Sequence, residues 1–477
     1  MAYSILDGSR AVILTGTKAL EDQYFRDFQS CGIFDMRGRN NFDCVKAEDS
    51  DRALTCAEGR ILGCQYPSCA YNAARRAFLD SNLSVTNYAY GLSSMLHSEG
   101  CGDIGTLVLD EAHSAVQEIC SAVEIRLDHV KYDWIYRAVN AKSPPFGKPL
   151  VEWRTWATYL RPKVQDHIKS MKEAKQYKWI SQVDTLAKSL DRVAGVSGDW
   201  ILDEQGVLGE TLISPLWPVD FAGPLLFRDV PRVILLSATL VPKTLALLGI
   251  KEEESIFLSQ SHTFDPSRAP VYLFGPSHIS RKSTPGQLDE WMSRMDRIIY
   301  DRLDRKGIIH TVSYDRQEFI FSRSTHRSIM LAPRDSRSFQ AAVEQFKSVP
   351  APCVLVTPSA TTGYDFPYDE CEYQILSKVP FIPTSPLMEA RKKADPEYAP
   401  YLIAQVLVQT CGRAMRAEDD RCENFILDAN ANWFLMPRER GGHKHLFPSW
   451  FLQQVRKPDG LPVPAPKLQP RKKDNTQ

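Results

Sequence analysis

One apolar run followed by two carboxylates decides the fold: Thr106-Leu107-Val108-Leu109, then Asp110-Glu111-Ala112-His113. Two other runs end in polar residues in the same way: Ala11-Val12-Ile13-Leu14 before Thr15-Gly16-Thr17, and Val233-Ile234-Leu235-Leu236 before Ser237-Ala238-Thr239. Such runs are typical of buried parallel strands, whose carboxyl ends form the ligand crevice of an open α/β sheet. The polar residues at these strand ends are therefore candidate site residues.

The second half of the chain repeats this pattern. Its strand-like runs are Gly307 to Thr311, Pro352 to Thr357 and Cys371 to Leu376, and a predicted helix carries Gln405 to Met415. Pro266 to Pro270 interrupts the apolar periodicity between the two blocks and is the predicted linker. At 477 residues the chain exceeds the ~250 to 300 residues at which single cores stop growing. We therefore expect an α/β protein with two domains that share a cleft.

Composition restricts the class of protein. Lys plus Arg equal Asp plus Glu at 58 each, so no global positive charge would hold the chain on nucleic acid or on an anionic membrane. Any nucleic-acid binding must come from a local groove. The longest apolar runs are far shorter than the ~20 residues that span a bilayer, and residues 1–4 do not open a signal peptide. We expect a cytoplasmic protein without a membrane partner, in the host cytoplasm if the chain is viral.

The pair Asp110-Glu111 predicts hydrolytic chemistry on a nucleoside triphosphate. That reaction needs a divalent cation and a group that orients the attacking water, and adjacent carboxylates at a strand end can supply one each. Far downstream, Gln409-x-x-Gly412-Arg413-x-x-Arg416 offers the complementary positive charge. On one helix these side chains would share a face, with Gly412 inside the helix, and the arginines could stabilise transition-state charge on phosphates.

Four cysteines fall in one short stretch, at Cys44, Cys56, Cys64 and Cys69. Clustered cysteines in an intracellular chain favour a metal over disulfides. The spacing lacks the Cys-x-x-Cys pairs of most structural zinc sites, so zinc, an iron-sulphur cluster and ordinary free thiols all stay open on spacing alone.

The order of the motifs resembles that of superfamily 2 helicases, and in particular the XPD/DinG family of iron-sulphur DNA helicases. Residues Thr17 to Gln23 resemble motif Ia, Asp110 to His113 motif II (the DEAH box), and Ser237 to Thr239 motif III. His310 to Tyr314 resemble motif IV, Thr361 to Pro367 motif V, and Gln409 to Arg416 motif VI. The resemblance covers about residues 10 to 445 and implies two RecA-like domains that hydrolyse ATP with Mg²⁺ and move 5′ to 3′ along single-stranded DNA.

The resemblance also implies a [4Fe-4S] cluster on the four clustered cysteines. Arg37 to Cys44 resemble the entry to the cluster of this family, and Cys69-Ala70-Tyr71 its exit, with mild departures at Phe42 and Ala70. The implied domain bounds are 1–36, 77–115 and 219–264 for helicase domain 1, 37–76 for the cluster insertion, 116–218 for a helical arch-like insertion, 265–445 for helicase domain 2, and 446–477 for a partly disordered tail.

Residue roles follow from the same resemblance. Asp110 would hold Mg²⁺, Glu111 would activate water, and Arg413 and Arg416 would contact phosphates across the interdomain cleft. The remaining nucleotide-side residues would be Gln409, His113, Ser237, Thr239, Gly363 and Asp365. The residues toward DNA would be Thr17, Asn87, Thr311, Ser313 and Tyr314.

The 477 residues contain no Gly-x-x-x-x-Gly-Lys-Ser/Thr loop, the segment whose backbone and Lys bind the β- and γ-phosphates. Thr15-Gly16-Thr17-Lys18 looks similar but is part of motif Ia, because Ala19 stands where Ser or Thr is required. We expect weak or no ATPase activity from this polypeptide alone. A separate polypeptide that supplies the loop, a start placed too far downstream, and decay all stay open.

Two further expectations concern the insertion and the tail. Lys169, Lys172, Lys175, Tyr177, Lys178 and Trp179 could bind nucleic acid, although a solvated helix face is the favoured interpretation. The segment from Arg456 onward is rich in Pro and Lys and is expected to be disordered.

An alternative function of a different class stays open. The chain could be a non-catalytic subunit that uses a helicase scaffold to bind single-stranded DNA or DNA junctions.

Overall fold

The computed structural model describes residues 8–49, 52–64, 66, 68–96, 100–174, 176, 179–204, 206–207, 209–260, 265–358, 366–413, 415 and 419–468. The chain divides into two compact units. Unit 1 comprises Met1–Ile256 and Pro383–Asp395, and unit 2 comprises Phe257–Ile382 and Pro396–Gln477. The division therefore falls shortly before the linker predicted at residues 266–270.

Unit 1 is built on a five-stranded parallel sheet in the order β10-β6-β1-β5-β2. The strands are β1 (Ala11–Thr15), β2 (Phe34–Asp35), β5 (Leu83–Asn87), β6 (Thr106–Asp110) and β10 (Arg232–Leu236). The helices around them are α1 (Lys18–Asp27), α3 (Ala70–Asp80), α4 (Tyr88–Leu96), α5 (Ala115–Val123), α9 (Val219–Ala222) and α10 (Pro242–Leu247). The three runs that the sequence predicts as parallel strands are β1, β6 and β10.

The register of this sheet aligns one apolar row across four strands. Ile234 of β10 pairs with Val108 of β6, Val108 with Ile13 of β1, and Ile13 with Val85 of β5. Paired residues of parallel strands point to the same face. Val108, Ile13 and Val85 are buried in a cluster beneath the aromatic side chains of Tyr24 and Phe25 of α1 and of Phe28, which follows it. The opposite face forms the larger core cluster of the unit, which includes Val12, Leu107 and Leu109.

The cysteine stretch forms a small subdomain between β2 and β5. It contains the antiparallel strands β3 (Asp43–Asp49) and β4 (Arg52–Thr55) and the short helix α2 (Cys56–Ile61). A capping box between Thr55 and Glu58 fixes the start of α2. The two hydrogen bonds of this box place Cys56 at the first position of the helix.

A second insertion has its own core. The strands β7 (Ile125–Asp128), β8 (Trp200–Asp203) and β9 (Glu210–Pro215) form an antiparallel sheet in the order β7-β9-β8. The helices α6 (His129–Ala138), α7 (Leu150–Glu173) and α8 (Ile180–Ala194) pack on a shared cluster that includes Trp153, Leu160 and Leu186.

Two details of this insertion bear on the sequence expectations. Helix α5, expected inside the insertion, packs Val116 and Ile119 into the core of the parallel sheet, so the separate core begins at Ile125. Lys169 and Lys172 are exposed on α7, and Lys169 pairs with Asp166 at 3.0 Å, as on a solvated face. Lys175, Tyr177 and Lys178 lie outside the described residues.

Unit 1 also contains a segment that the sequence assigns to the second domain. Helix α14 (Pro386–Ala394) packs against the second insertion. Its Arg391 is buried and donates hydrogen bonds to the carbonyl oxygens of Leu216 (2.8 Å) and Pro215 (3.2 Å). A buried guanidinium needs such acceptors, and only the folded chain brings them to Arg391.

Unit 2 contains a seven-stranded parallel sheet in the order β13-β14-β12-β15-β16-β11-β17. The strands are β11 (Val271–Leu273), β12 (Lys306–His310), β13 (Met330–Leu331), β14 (Cys353–Thr357), β15 (Tyr373–Leu376), β16 (Glu423–Ile426) and β17 (Val455–Arg456). The helices are α11 (Pro285–Tyr300), α12 (Tyr314–Arg323), α13 (Ser336–Ser348), α15 (Tyr398–Cys411), α16 (Asn430–Phe434) and α17 (Ser449–Gln454). Strands β12, β14 and β15 are almost fully buried, as their apolar sequences predict.

The carboxyl-terminal segment differs from the disorder expected after Arg456. Through Leu468 it is hydrogen-bonded to unit 2: Arg302 donates to Pro462 O (3.3 Å), Arg305 to Ala465 O (2.8 Å), and Leu468 N to Glu372 Oε2 (2.8 Å). The polar composition of the segment does not leave it without contacts, because the buried Arg302 and Arg305, between α11 and β12, donate hydrogen bonds to its carbonyl groups. Residues 469–477 lie outside the described residues.

None of the helices in the part of the chain that the structure describes is both long enough and apolar enough to cross a lipid bilayer.

Candidate functional site

The carboxyl edge of the unit 1 sheet gathers the predicted acidic residues. Asp110 ends β6 and is partly buried, and its Oδ1 accepts a hydrogen bond from Glu111 N (2.9 Å). Tyr24 donates to Asp110 Oδ2 at 3.0 Å, and Tyr88 donates to Asp110 O at 3.0 Å. Burial raises the pKa of Asp110, while the hydrogen bonds from Glu111 N and Tyr24 oppose that rise. The site therefore holds a carboxylate in a fixed orientation.

Glu111 has a strained backbone. Its φ of 51° and ψ of 43° lie in the left-handed region, which costs a residue with a side chain about 1–3 kcal/mol. Ser114 Oγ donates to Glu111 O at 2.9 Å and helps to hold this conformation. The side chain of Glu111 stays 45% exposed, so solvent reaches its carboxylate.

A line of polar contacts joins Glu111 to the residues that follow β10. His113 Nδ1 lies 3.2 Å from Glu111 Oε2 and 2.8 Å from Ser237 Oγ. Ser237 Oγ lies 3.2 Å from Thr239 Oγ1 and accepts from Thr239 N at 3.1 Å. The structure thus brings together the four predicted residues Glu111, His113, Ser237 and Thr239, although 124 positions separate His113 from Ser237.

The predicted DNA-side residues of unit 1 act as helix caps. The hydroxyl of Thr17 accepts from Leu20 N (3.2 Å) at the start of α1. Asn87 ends β5, its Oδ1 accepts from Tyr90 N (2.9 Å), and its Nδ2 donates to Glu21 Oε2 (2.9 Å). Glu21 is fully buried, and burial raises its pKa. Thr17 and Asn87 therefore follow two paired strands at the same edge as Asp110.

The four clustered cysteines line one cavity. It encloses ≈ 290 Å³ including its open mouth, and its lining residues are Arg39, Asp43, Cys44, Cys56, Arg60, Cys64, Tyr66, Cys69 and Asn72. Among the described residues, no three His, Cys, Asp or Glu side chains are arranged to hold a single metal ion.

Helix starts and one arginine surround two of these thiols. Cys69 caps the start of α3, and its Sγ accepts from Asn72 N at 3.4 Å. Cys56 begins α2, and Arg39 Nη1 donates to its Sγ at 3.4 Å. Burial raises the pKa of Cys56, whereas Arg39 opposes the rise. Helix amino termini and guanidinium groups favour thiolates, the form in which cysteine binds metals.

In unit 2, the predicted motif IV residues follow β12. Thr311 Oγ1 donates to Ser313 O (3.2 Å), and Ser313 Oγ accepts from Arg316 N (3.2 Å) at the start of α12. Tyr314 is 40% exposed beside them. His310, the last residue of β12, is buried, and its Nε2 lies 2.7 Å from Gln374 Oε1.

Helix α15 ends earlier than the sequence predicts. Its last residue is Cys411, and Gly412 caps it by donating to Val408 O (3.1 Å) and Gln409 O (3.2 Å). Arg413 follows in the turn, so the prediction of one helix face for Gln409, Arg413 and Arg416 is wrong at Arg413. A glycine loses more backbone entropy in a helix than any other residue, which favours ending the helix there.

Arg413 lies close enough to His310 for its positive charge to affect the pKa of that histidine. The pKa of His310 is lowered to about 4, mainly by burial; the hydrogen bond to Gln374 opposes this shift, and the charge of Arg413 contributes to it. Arg413 therefore lies near the carboxyl end of β12. Three predicted residues, Gly363, Asp365 and Arg416, lie outside the described residues.

Sequence reasoning missed the basic and aromatic residues Arg316, Lys378 and Phe381 of unit 2; of these, Arg316 lies in the first turn of α12, after Ser313 and Tyr314. Lys378 Nζ lies 6.0 Å from the centre of the Phe381 ring, and Phe381 is 45% exposed. Burial lowers the pKa of Lys378. The negative charge of Asp428 opposes this shift, and the positive charge of Arg316 adds to it. Lys378 follows β15 closely, so the strand-end pattern used for the other motifs could have identified it. Tyr24 gives no such signal, because 86 positions separate it from Asp110.

Comparisons with known proteins agree with this architecture. Residues 299–438 match the family described as Helicase C-terminal domain. No curated protein matches the chain by sequence. A solved structure described as XPD helicase is similar with a TM-score of 0.63 at 13% identity, covering 95% of this chain and 92% of that one.

Two further solved structures show the same likeness. Xpd4 of S. tokodaii has a TM-score of 0.58 at 12% identity over 94% of this chain and 91% of its own. A structure described as apo XPD has a TM-score of 0.55 at 12% identity over 88% of both chains. The predicted α/β class with two RecA-like domains is thus confirmed. The chain has the fold of these XPD structures, and residues 299–438 match the family described as Helicase C-terminal domain.

Proposed function

We propose that this chain acts as an ATP-dependent DNA helicase of the XPD/DinG type that translocates 5′ to 3′ on single-stranded DNA. One observation carries the proposal: Asp110 and Glu111 stand at the carboxyl edge of the unit 1 sheet, and His113 links Glu111 to Ser237 and Thr239. A strained, solvent-accessible glutamate beside an oriented aspartate suits an ATPase centre.

The roles proposed for unit 1 follow from this geometry. Asp110 would hold Mg²⁺, because carboxylate oxygen is the ligand that this cation prefers and both Asp110 oxygens are already oriented. Mg²⁺ would neutralise charge on the ATP phosphates. Glu111 would orient and deprotonate the attacking water. His113, Ser237 and Thr239 would transmit the nucleotide state from β6 to β10, since their hydroxyl and imidazole groups already connect the two strands.

The roles proposed for unit 2 concern the phosphates. Arg413 and Arg416 would stabilise negative charge that develops in the transition state, and Gln409, Gly363 and Asp365 would complete the nucleotide contacts. The position of Arg413 supports its proposed role, because Arg413 lies in the turn after α15 and is not part of the helix.

Single-stranded DNA is proposed to bind along the strand ends. Aromatic rings stack on bases, and cations neutralise phosphates. Tyr314 and Phe381 are exposed aromatic rings, the Lys378 ammonium lies over the ring of Phe381, and Arg316 is near enough to Lys378 to lower its pKa. Thr311 and Ser313 would add hydroxyl contacts to phosphates in unit 2, as Thr17 and Asn87 would in unit 1.

A [4Fe-4S] cluster is proposed for the cysteine cavity, and the residues present fit it. Cys44, Cys56, Cys64 and Cys69 all line one cavity, and two arginines there offset the charge of thiolates. Four thiolates around one zinc ion stand about 3.8 Å apart, given a Zn–S distance of about 2.3 Å. In a [4Fe-4S] cluster each thiolate binds a different iron, so the four sulphur atoms need to stand farther apart than around one zinc ion. When bound, the cluster would hold the segments around β3, α2 and α3 together.

Turnover by this polypeptide alone is proposed to be weak or absent, because its 477 residues contain no Gly-x-x-x-x-Gly-Lys-Ser/Thr loop. The same observation favours the second candidate function, a non-catalytic subunit that binds single strands or junctions. The intact Asp110, Glu111 and Arg413 favour the helicase.

The deciding experiment measures ATP hydrolysis and strand separation by the purified chain with single-stranded and 5′-tailed DNA, alone and after addition of a peptide that carries a phosphate loop. Glu111→Gln is the matched control, because it keeps the size of the side chain and removes the carboxylate that would deprotonate water. Restored turnover that Glu111→Gln abolishes supports the helicase. DNA binding without turnover in every mixture supports the binding subunit and refutes the helicase.

A further inference from the structure

A chain of buried amides fixes the tautomer of His310. Asn424 Nδ2 donates to Cys422 O (3.2 Å) and to Pro270 O (3.4 Å). The Oδ1 of Asn424 is therefore the atom that accepts from Gln374 Nε2, at 3.1 Å. Gln374 then presents its Oε1 to His310 Nε2, 2.7 Å away. Because an amide oxygen can only accept, the imidazole proton lies on Nε2.

The second ring nitrogen of His310 is an acceptor that the fold does not use. With the proton on Nε2, Nδ1 carries a lone pair, and within the described residues it has no hydrogen-bond partner. His310 is only 5% exposed, and a buried polar atom without a partner is unfavourable. The position therefore favours a donor that can reach Nδ1.

Arg413 is a donor near this nitrogen. It lies in the turn after α15, and its positive charge contributes to the lowered pKa of His310. A guanidinium has five N–H groups in a planar fork. It can donate one of them to Nδ1 and direct others at a phosphate.

The neutral state of His310 suits such a contact. Burial is the main reason that the pKa of His310 is about 4, so its imidazole is uncharged at neutral pH. A carboxylate in the same place would cancel much of the charge of Arg413. A neutral nitrogen orients the guanidinium and leaves its charge available for an anion. His310 is the last residue of the buried strand β12, so the acceptor is held rigidly.

We propose that His310 is a positioning residue for Arg413: its Nδ1 accepts a hydrogen bond from the guanidinium and directs the remaining N–H groups at a phosphate. The phosphate rests on the proposed function, in which Arg413 contacts ATP. The hydrogen bond itself needs no nucleotide. Gln374 and Asn424 act only by fixing the tautomer of His310.

The experiment observes the ring nitrogens of His310 by NMR in the full chain, labelled selectively at histidine, at neutral pH and without nucleotide. The signals of His310 are assigned by their loss in His310→Gln. We expect a proton on Nε2 and an Nδ1 resonance displaced toward that of a protonated nitrogen, as accepting a hydrogen bond causes. Arg413→Met should reverse the displacement, because methionine has no donor. Arg438→Met, at an exposed arginine of unit 2, should leave it unchanged.

Two variants of His310 separate positioning from packing. His310→Asn places an oxygen acceptor near the position of Nδ1, whereas His310→Gln keeps an N–H group toward Gln374 and lacks that acceptor. Binding of a fluorescent ATP analogue should be about fivefold weaker for His310→Gln, the effect of one lost hydrogen bond, and close to parental for His310→Asn. In the Arg413→Met background, His310→Gln should cause no further loss. Circular dichroism checks that each variant is folded.

Three results would overturn the inference: an Nδ1 resonance that Arg413→Met does not move, a proton on Nδ1, or parental binding of the ATP analogue by His310→Gln. A different pattern concerns the proposed function. If the chain binds no ATP analogue while Arg413→Met still moves the Nδ1 resonance, the hydrogen bond stands and the proposed contact of Arg413 with ATP is refuted.

Discussion

The phenol of Tyr24 donates a hydrogen bond of 3.0 Å to Asp110 Oδ2, so helix α1 orients the carboxylate at the end of β6. Tyr88 holds the carbonyl of the same residue from α4. Two helices of unit 1 therefore fix the residue proposed to bind Mg²⁺, and both contacts involve the hydroxyl of a tyrosine. This support is the structural reason to regard Asp110 as preorganised.

Replacing Tyr24 by Phe should raise the pKa of Asp110 further, because the lost hydrogen bond stabilises the carboxylate. The free energy of unfolding should fall by about 1 kcal/mol at neutral pH. A carboxyl NMR titration and urea denaturation measure the two effects. Tyr300→Phe, at a 59% exposed tyrosine of unit 2, is the control. An unchanged Asp110 titration would show that the hydrogen bond does not orient the carboxylate.

Cys56→Ser should abolish the iron-sulphur cluster, because serine oxygen replaces one of four thiolate ligands. Chains purified under anaerobic conditions should carry about four irons and four acid-labile sulphides, and the variant far fewer. Cys31→Ser is the matched control, since Cys31 is exposed and does not line the cavity. Zinc in place of iron, or equal iron content in both variants, would contradict the proposal.

Lys378→Ala should weaken binding of single-stranded DNA and reduce the slope of log K against log salt by about 0.7, the value for one phosphate contact to a single strand. Phe381→Ala should weaken binding by about 1–3 kcal/mol with little change of slope, because stacking is lost rather than charge. Anisotropy titrations at several salt concentrations distinguish the two. Lys444→Ala, an exposed lysine of unit 2, should have no effect. Equal effects of Lys378→Ala and Lys444→Ala would argue against binding of single-stranded DNA by Lys378.

His310 should make unit 2 sensitive to acid. Its pKa is about 4 in the folded chain and 6.5 in the reference state, so the unfolded chain binds more protons between these values. The contribution of His310 to the free energy of unfolding is fully present above pH 6.5. It decreases as the pH falls toward 4, by about 3 kcal/mol in total. His310→Gln should lose this component, as urea denaturation at pH 7 and pH 4.5 would show. His278→Gln, at an exposed histidine, should keep the parental pH dependence.

Arg302 and Glu423 form a buried ion pair with distances of 2.8 and 2.9 Å, at 0% and 1% exposure. Arg302→Met or Glu423→Met alone should cost about 3–5 kcal/mol, because each leaves an unpaired buried charge. The double variant should cost less than the sum. A double-mutant cycle by urea denaturation measures the coupling, and additive losses would show that the two charges act independently.

Local sequence patterns were reliable wherever a strand had to be buried. The apolar runs before Thr15, Asp110 and Thr311 form buried parallel strands, as expected of parallel sheets that are covered on both faces. The run before Ser237 also forms a parallel strand, but β10 is only partly buried, which its apolar sequence did not predict. Boundaries and distant contacts were less predictable. The end of α15 at Cys411, the place of Arg391 in unit 1 and the ordered segment through Leu468 each depend on partners remote in the chain.

The sequence by itself determined the α/β class, the strand ends that carry the residues proposed for the site, and the absence of a phosphate loop from these 477 residues, since strand burial and motifs are local properties of the chain. The tertiary structure alone decided that Tyr24 and Tyr88 hold Asp110, that four cysteines share one cavity, and that Ile234 and Leu236 of β10 are exposed. Those relationships depend on strand order and register, which bring together residues tens to hundreds of positions apart.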